Sequence, residues 1–444
     1  MTSRRFPWAK TFLIGFGFFG ISLIWPIFNQ FIPLFLQAGN PEFERQLLEQ
    51  GKEIPTLVGF GLTPALAMFV MTWDNIINIF IQPWVGERSD HTWNRFGRRK
   101  PWILLGAPIA ILGFVFIPVA QSIIAIMVFI LVTNFGMSLF RSPTIAWLGD
   151  LFHANERSKA NGVINLMGGM AGLLAYFFGG VLFDKIGRAA PFIAGALGLF
   201  AGLVTVLIWV REPTPEERGM IPSKDVDKNR PIQGVIKNLG IVFTNPDKSG
   251  MFVLISILFW FIAFQALEAA LSSFAVFTLG IAPGKASMYA AVVNLSFLLF
   301  SVPSGLIAHR FGRRKTIRIG LTGLVIIFLV GYFAIQGVVT FIGALVLTGF
   351  FWALVNVNSL PLVYDYGDER HIGAYTGLYY FSSQTAAVLG PVLSGIMVDV
   401  LGDNYRWTFL FATLFMALAW FTMRYVKEVI PSRNEEQLQA AASE

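Results

Sequence analysis

Long apolar runs separated by short polar stretches fill almost the whole chain of 444 residues. A mainly apolar run of about 20 residues is long enough to cross a bilayer as a helix. That reading predicts twelve helices, near 11–36, 61–85, 102–119, 122–148, 158–183 and 191–210, then 251–279, 285–308, 316–336, 339–365, 372–400 and 405–427. Between the sixth and seventh, residues 211–250 are rich in charge and proline and have no apolar period, so they read as a linker. After Pro431 the chain turns polar and alanine-rich, the composition of a disordered tail. The expected organisation is an all-α membrane protein with a six-helix unit at 1–210, a linker at 211–250, a second six-helix unit at 251–430 and a tail at 431–444.

The two units are copies. The string Phe-Gly-Arg-Arg-Lys at Phe96 to Lys100 returns at Phe311 to Lys315, a shift of 215 residues. The same shift carries Asp150 to Asp365, Gly162 to Gly377, Gly180 to Gly395, Asp184 to Asp399 and Gly187 to Gly402. Matched halves in an apolar chain are the mark of a transporter whose substrate site lies where the repeats face each other.

Composition narrows the class further. With 55% hydrophobic and 13% charged residues the chain belongs in a bilayer. It has no cysteine, which excludes disulfides, thiolate metal sites and cysteine nucleophiles. The net charge of +7 is unevenly placed. Of the 33 Lys and Arg, six fall on the loops opposite the termini (Arg45, Lys52, Lys185, Arg188, Lys285 and Arg406), Arg141 lies inside a helix, and the rest lie on the terminal side. That asymmetry predicts a multi-pass protein of the cell membrane with both termini cytoplasmic. Arg4 and Arg5 precede an apolar stretch too long for an export signal and without a small-residue cleavage site, so it reads as the first helix. The basic loops at 95–100 and 310–315 sit at membrane ends, where gating ion pairs and contact with anionic lipid explain them better than nucleic acid. The first outer loop, 38–56, carries Glu42, Glu44, Glu49 and Glu53 and reads as a solvated face rather than a cover for the outer mouth. No phosphate-binding loop, zinc cluster or nucleophile triad occurs, so neither an enzyme nor a cofactor is expected.

Several motifs carry a family resemblance. The stretch Gly86 to Asp90, closed by Arg95 to Trp102, resembles the loop between the second and third helices of the major facilitator superfamily. In the second copy, Gly305 to Lys315, the segment is four residues shorter and His309 stands where that pattern usually has aspartate, so the charge clamp there is expected to be weaker. More narrowly, the loop ending Gly-Arg-Arg-Lys-Pro-Trp is similar to the branch of sucrose transporters and glycoside-pentoside-hexuronide cation symporters. So are Trp73 to Asn75, Arg141 to Pro143, Arg157 to Gly162, and Ser359 to Pro361 leading to Gly377 to Tyr380. The resemblance implies the major facilitator fold, two pseudo-symmetric six-helix bundles around a central cavity, with alternating access and proton-coupled sugar uptake. Its gating residues would be Asp90, Arg98, Arg99 and Asp150 in the first copy, with Arg313, Arg314 and Asp365 in the second.

Chemistry inside a membrane is legible because polar residues there are expensive. Asp74, Asn78 and Gln82 share one helix face at i, i+4 and i+8. Asp74 lies near mid-bilayer, roughly 20 Å from either end of its helix at 1.5 Å per residue. An ionised aspartate there costs about 2.5–3.5 kcal/mol on insertion scales, so it faces a cavity or a partner, or carries a proton. All four histidines fall in predicted loops, leaving Asp74 and Glu268 as the acids clearly inside helices and the expected proton sites, with H+ as coupling ion. Glu268 follows Gln265 at i+3 and precedes Ser272 at i+4, again one polar face. Arg141 aligns with Asn134 and Ser138, and its planar fork of donors suits hydroxyls or a carboxylate. A sugar ring needs aromatic faces beside amides. Trp73, Trp147, Trp260, Trp352, Tyr379 and Tyr380 are candidates to stack, and Asn75, Asn294, Asn356, Asn358, Ser383 and Gln384 to hydrogen-bond. Gly168 and Gly172 read as a close helix contact.

The expected function is a monomeric symporter taking up a glycoside such as sucrose or maltose with protons. Proton-driven export of sugars or drugs uses the same carboxylates and stays open. A solute sensor that moves nothing is the reading outside transport, disfavoured by the short tails.

Overall fold

The computed structural model describes residues 6–91, 96–152, 154–212, 240, 247–365 and 372–427. Most of the expected linker, the tail at 431–444, His153 and His371 lie outside the described residues. The first half comprises α1 Trp8–Gln37, α2 Pro41–Glu49, α3 Pro64–Met71, α4 Trp73–His91, α5 Lys100–Phe116, α6 Ile123–Leu151, α7 Ala154–Lys185 and α8 Ala190–Trp209. The second comprises α9 Ser249–Ser273, α10 Pro283–Phe311, α11 Arg313–Ala334, α12 Val338–Tyr364, α13 Ile372–Val400 and α14 Trp407–Thr422. Counting α3 and α4 as one span, eleven described helices are long and apolar enough to cross a membrane, and α14 is apolar but shorter. This is the expected twelve-helix architecture.

Local sequence sets the starts. Proline occupies the first turn of α2, α3, α5, α8 and α10, where its missing N–H costs nothing and its fixed φ suits a helix. Leu104, Leu112, Phe200, Ile208, Val302 and Leu306 are exposed, as a lipid-facing belt requires. Within the first half α1 packs on α7 and α8, and α6 on α4 and α5; within the second, α9 packs on α13 and α14, and α12 on α10 and α11. A Cβ on Gly168 would meet Ser22 Oγ at 3.0 Å and one on Gly172 would meet Pro26 at 3.9 Å, so the small-residue pair of α7 does seat against α1.

Three features depart from the sequence expectation. The second span is broken at Thr72, whose N–H and hydroxyl both bond back to Phe69 O, at 3.0 and 2.8 Å, leaving Trp73 to start a new helix. The seventh span ends in a π-helical turn at Phe274–Thr278. The first outer loop also contains a helix, α2, which lies on the second half: Phe43 is buried and stacks on Phe277 with centroids 4.8 Å apart. Its acids do behave as a solvated face, Glu42 pairing with Arg45 while Glu49 and Glu53 are exposed, and its apolar side, Phe43 and Leu47, is buried.

The halves meet through crossed pairs, α7 on α10 and α3 on α13. Each pair ends in a carboxylate of one half accepting a backbone N–H at a helix start in the other. Asp184 accepts from Gly284 N–H at 3.0 Å, and Asp399 from Ala65 N–H at 2.9 Å. The repeat therefore produces two related latches, because Gly180 and Gly395 stand four residues before each aspartate and let the backbones touch. A Cβ on Gly180 would lie 2.2 Å from Gly284 O. Gln46 donating to Gly402 O at 2.7 Å and Lys52 donating to Thr278 O at 2.9 Å close the same face.

The opposite face, where the described ends of the chain lie, carries the duplicated loops. Asp90 pairs with Arg99, and Asp150 accepts from Arg98 Nε at 3.2 Å and Arg99 Nε at 2.9 Å. Glu212 adds a contact the sequence did not suggest, accepting the N–H groups of Arg98 at 2.6 Å and Lys100 at 2.9 Å at the start of α5. Gly97, with φ at +107°, leaves room for that carboxylate. In the second copy Arg313 pairs with Asp365, Arg314 donates to Arg424 O at 3.0 Å, and His309 is exposed. Both clusters lie inside their own half. Asp150 is 11% exposed and holds two guanidinium groups, whereas Asp365 and Arg313 are 27% and 44% exposed. Asp150→Asn is therefore expected to cost about 3 kcal/mol, as breaking a buried pair does, and Asp365→Asn about 1 kcal/mol at most. Melting of the detergent-purified variants checks the order.

Candidate substrate and coupling site

A cavity of about 260 Å³ lies between the halves, lined by Trp25 and Asn29 of α1, Met71 of α3, Asp74 and Asn75 of α4, Arg141 of α6, Gln265, Glu268 and Ala269 of α9, and Gln384, Ala387 and Pro391 of α13. The break at Thr72 explains how Asp74 reaches it. The carboxylate falls in the first turn of α4, where the helix dipole favours negative charge, and Oδ1 accepts a bond from Asn75 Nδ2 at 3.0 Å. Arg141 comes from α6, the helix packed on α4, and lies over the Trp25 ring, 5.7 Å from its centroid, a cation–π arrangement.

Most of these polar groups have no partner in the protein. Among the described residues, the side chains of Asn29, Gln265, Glu268 and Gln384 make no hydrogen bond, and Arg141 makes neither a hydrogen bond nor an ion pair closer than 4.0 Å. Trp25 Nε1 is buried and also unpaired. Donors and acceptors that are open to one space and not engaged by described side chains form a surface for a hydroxyl-rich ligand, because they can exchange bonds to water for bonds to its hydroxyls.

The structure thus brings together Asp74, Asn75, Arg141, Gln265, Glu268 and Gln384 of the residues expected from sequence. It places others elsewhere. Asn78 accepts from Ser138 Oγ at 2.6 Å, tying α4 to α6. Asn358 is buried and donates to Ser304 Oγ at 2.9 Å, and Tyr379 shares a 3.0 Å bond with Ser359 Oγ. Those three polar groups are hydrogen-bonded inside the bundles and are not among the residues lining this cavity. Ser383 bonds Tyr380 O at 3.0 Å, and Trp147 and Trp260 are fully buried core residues.

Asn294 and Asn356 line a second cavity, about 320 Å³, formed mainly by the second half and closed on one side by Tyr176 of α7. Glu268 lines both. Trp25 and Asn29 were missed from sequence. Their signal was an indole and an amide four residues apart on a helix that otherwise has few polar positions.

Two six-helix halves, crossed at one face and separated by a polar cavity, define a transporter of the major facilitator type. A profile of the family described as MFS/sugar transport protein matches residues 14–406, and the chain belongs to that family. Among curated relatives, the membrane-associated transporter protein of Mus musculus is 27% identical over 174 residues, 35% of this chain and 33% of that protein. The proton-associated sugar transporter A of Homo sapiens is 25% identical over 155 residues, 32% of this chain and 21% of that protein. The chain spans about a third or less of the length of these two relatives in the matched regions. Among solved structures, a nucleoside transporter superposes with a TM-score of 0.71 at 13% identity, covering 94% of this chain and 100% of that one. The human organic anion transporter MFSD10 does so with 0.62 at 16%, covering 95% and 100%. At such identities the likeness is one of fold.

Proposed function

We propose that this protein is a secondary active transporter that carries a glycoside with protons by alternating access, importing it across the cell membrane as a monomer. The observation that carries the reading is the cavity between the halves, where Asp74 and Glu268 face Arg141 among unpaired amides and an indole. In this reading Trp25 stacks on the sugar ring, Arg141 with Asn29, Asn75, Gln265 and Gln384 bonds its hydroxyls, and Asp74 and Glu268 take up the coupling proton. The name of the proton-associated sugar transporter relative points the same way. The segments 1–210 and 251–430 act as the two rocking units, and the termini lie in the cytoplasm, so the face closed by α2 and the two latches is the outer one. The described state is then closed to the outside. Residues 95–100 and 310–315 meet the headgroups of the inner leaflet, and no enzymatic step or cofactor is required.

Counterflow tests the substrate class. Proteoliposomes preloaded with an unlabelled sugar are expected to take up the same labelled sugar faster than empty ones, whereas preloading with nucleosides, peptides or organic anions leaves the rate unchanged. Exchange driven by one of those instead of a glycoside would overturn the reading. The gate has its own test. Gly180→Val places a side chain against the backbone of α10, so the outer face cannot close fully. In vesicles of defined sidedness, a cysteine introduced by Asn29→Cys is expected to react severalfold faster with an impermeant maleimide from the outer side when Gly180→Val is also present.

A further inference from the structure

The second cavity differs in character from the first. Its wall is made mainly of apolar side chains, among them Phe264, Phe297, Phe328, Phe341, Leu345 and Trp352, with Asn294, Thr348 and Asn356 of the second half, Tyr176 of the first and Glu268 as the polar points. Trp352 stacks on Phe264 with centroids 3.9 Å apart and planes 4° from parallel, so one indole face is already covered by protein. Glu268 is the residue common to the two linings, and it is exposed. The side chains of Asn294 on α10 and Asn356 on α12 make no hydrogen bond to a described residue, and Asn294 is exposed, so both amides are open to a ligand in this cavity.

We propose that the second cavity is a substrate subsite for an apolar substituent, so that the transported glycoside is amphipathic: a sugar ring in the interbundle cavity, joined past Glu268 to an aryl or short alkyl group in the second half. This rests on the sugar-transport reading and narrows it. A disaccharide fills the polar cavity and then presents a second set of hydroxyls to a wall that is mainly apolar and has few polar groups to bond them, a mismatch costly for each hydroxyl buried without a partner. An aryl group presents apolar surface to that wall and leaves only the ring-side oxygen near Glu268. Asn294 and Asn356 then accommodate a single polar substituent on the aryl group. The volume of about 320 Å³ is ample for one aromatic ring with a substituent.

The test compares paired ligands that share a sugar. Methyl and phenyl glycosides of glucose and of galactose, with sucrose and maltose alongside, are titrated as inhibitors of counterflow in proteoliposomes holding the full chain. The phenyl glycoside of the accepted sugar is expected to inhibit about tenfold or more better than its methyl partner, from the apolar surface it removes from water. Ala344→Phe, which fills the apolar cavity from α12, is expected to abolish that advantage and leave inhibition by the methyl glycoside unchanged. Ala344→Leu, a milder filling, should reduce it in part and guards against a folding failure of the larger variant. Equal inhibition by methyl and phenyl glycosides overturns the apolar subsite while leaving sugar transport standing. A phenyl advantage that survives both fillings also overturns it, by locating the aryl group elsewhere. If no glycoside inhibits, the sugar reading itself falls, and this proposal with it.

Discussion

Asp74→Asn is expected to abolish accumulation of substrate against its gradient, while counterflow exchange continues at a reduced rate. The variant keeps the shape and hydrogen-bonding capacity of the side chain and removes its proton. Asp74 sits at the start of α4, produced by the one-residue break at Thr72, and among the described residues its hydrogen-bonded side-chain neighbour is Asn75. Among the described residues no cation lies within 4.0 Å of the carboxylate, although Arg141 is close enough to act on it electrostatically, and in the proposed cycle it is charged in one state and neutral in another. A side chain that must gain and lose a proton once per cycle cannot be replaced by an amide, so the coupled rate should fall by at least two orders of magnitude, the scale on which proton-transfer groups act. Exchange without net proton movement needs binding and rocking alone. Accumulation at the wild-type level in this variant would move the proton to Glu268, and Glu268→Gln then becomes the decisive variant.

Arg141→Lys is expected to fail nearly as completely as Arg141→Ala. Lysine retains the charge but not the planar fork, and both features of the observed geometry depend on the fork: its stacking over Trp25 and its capacity for paired bonds to adjacent hydroxyls. Losing one bidentate interaction and a desolvated cation–π contact corresponds to about 2–4 kcal/mol, or roughly 30- to 1000-fold in apparent affinity. Apparent affinity in counterflow, measured for both variants, checks the claim. A lysine variant with unchanged affinity would reduce Arg141 to a counter-charge for Asp74.

How far the sequence reached depends on what each feature costs in a membrane. Hydropathy and the 215-residue repeat were enough for twelve spans and two halves, because apolar length and duplication are direct properties of the chain. Asp74, Arg141 and Glu268 stood out because a charge in an apolar helix needs a reason. Neutral amides carry no such marker. Asn358 and Asn78 looked like ligands and are bonded within the bundles, whereas Asn29 looked unremarkable and lines the cavity. Trp25 was one of 12 tryptophans, and only its position across from Arg141 distinguishes it. The break at Thr72 was illegible for a similar reason, since Met71, Thr72 and Trp73 include no proline or glycine to mark an interruption, and the back-bonding of Thr72 to Phe69 O is seen only in the structure. The two latches were half visible: Asp184 and Asp399 were recognised as a repeat pair, but their partners lie across the interface at Gly284 and Ala65, and no local pattern points there.

The central claim is that sugar movement is coupled to protons through the interbundle cavity, and one measurement addresses it directly. Proteoliposomes containing the purified protein are given labelled glycoside, with an inward proton gradient and then with the gradient collapsed by a protonophore, at constant sodium. The account predicts accumulation above the external concentration with the gradient, falling to simple equilibration without it, and loss of the difference in Asp74→Asn. Equilibration at the same rate and level under both conditions, or accumulation that follows an imposed sodium gradient instead, would contradict it.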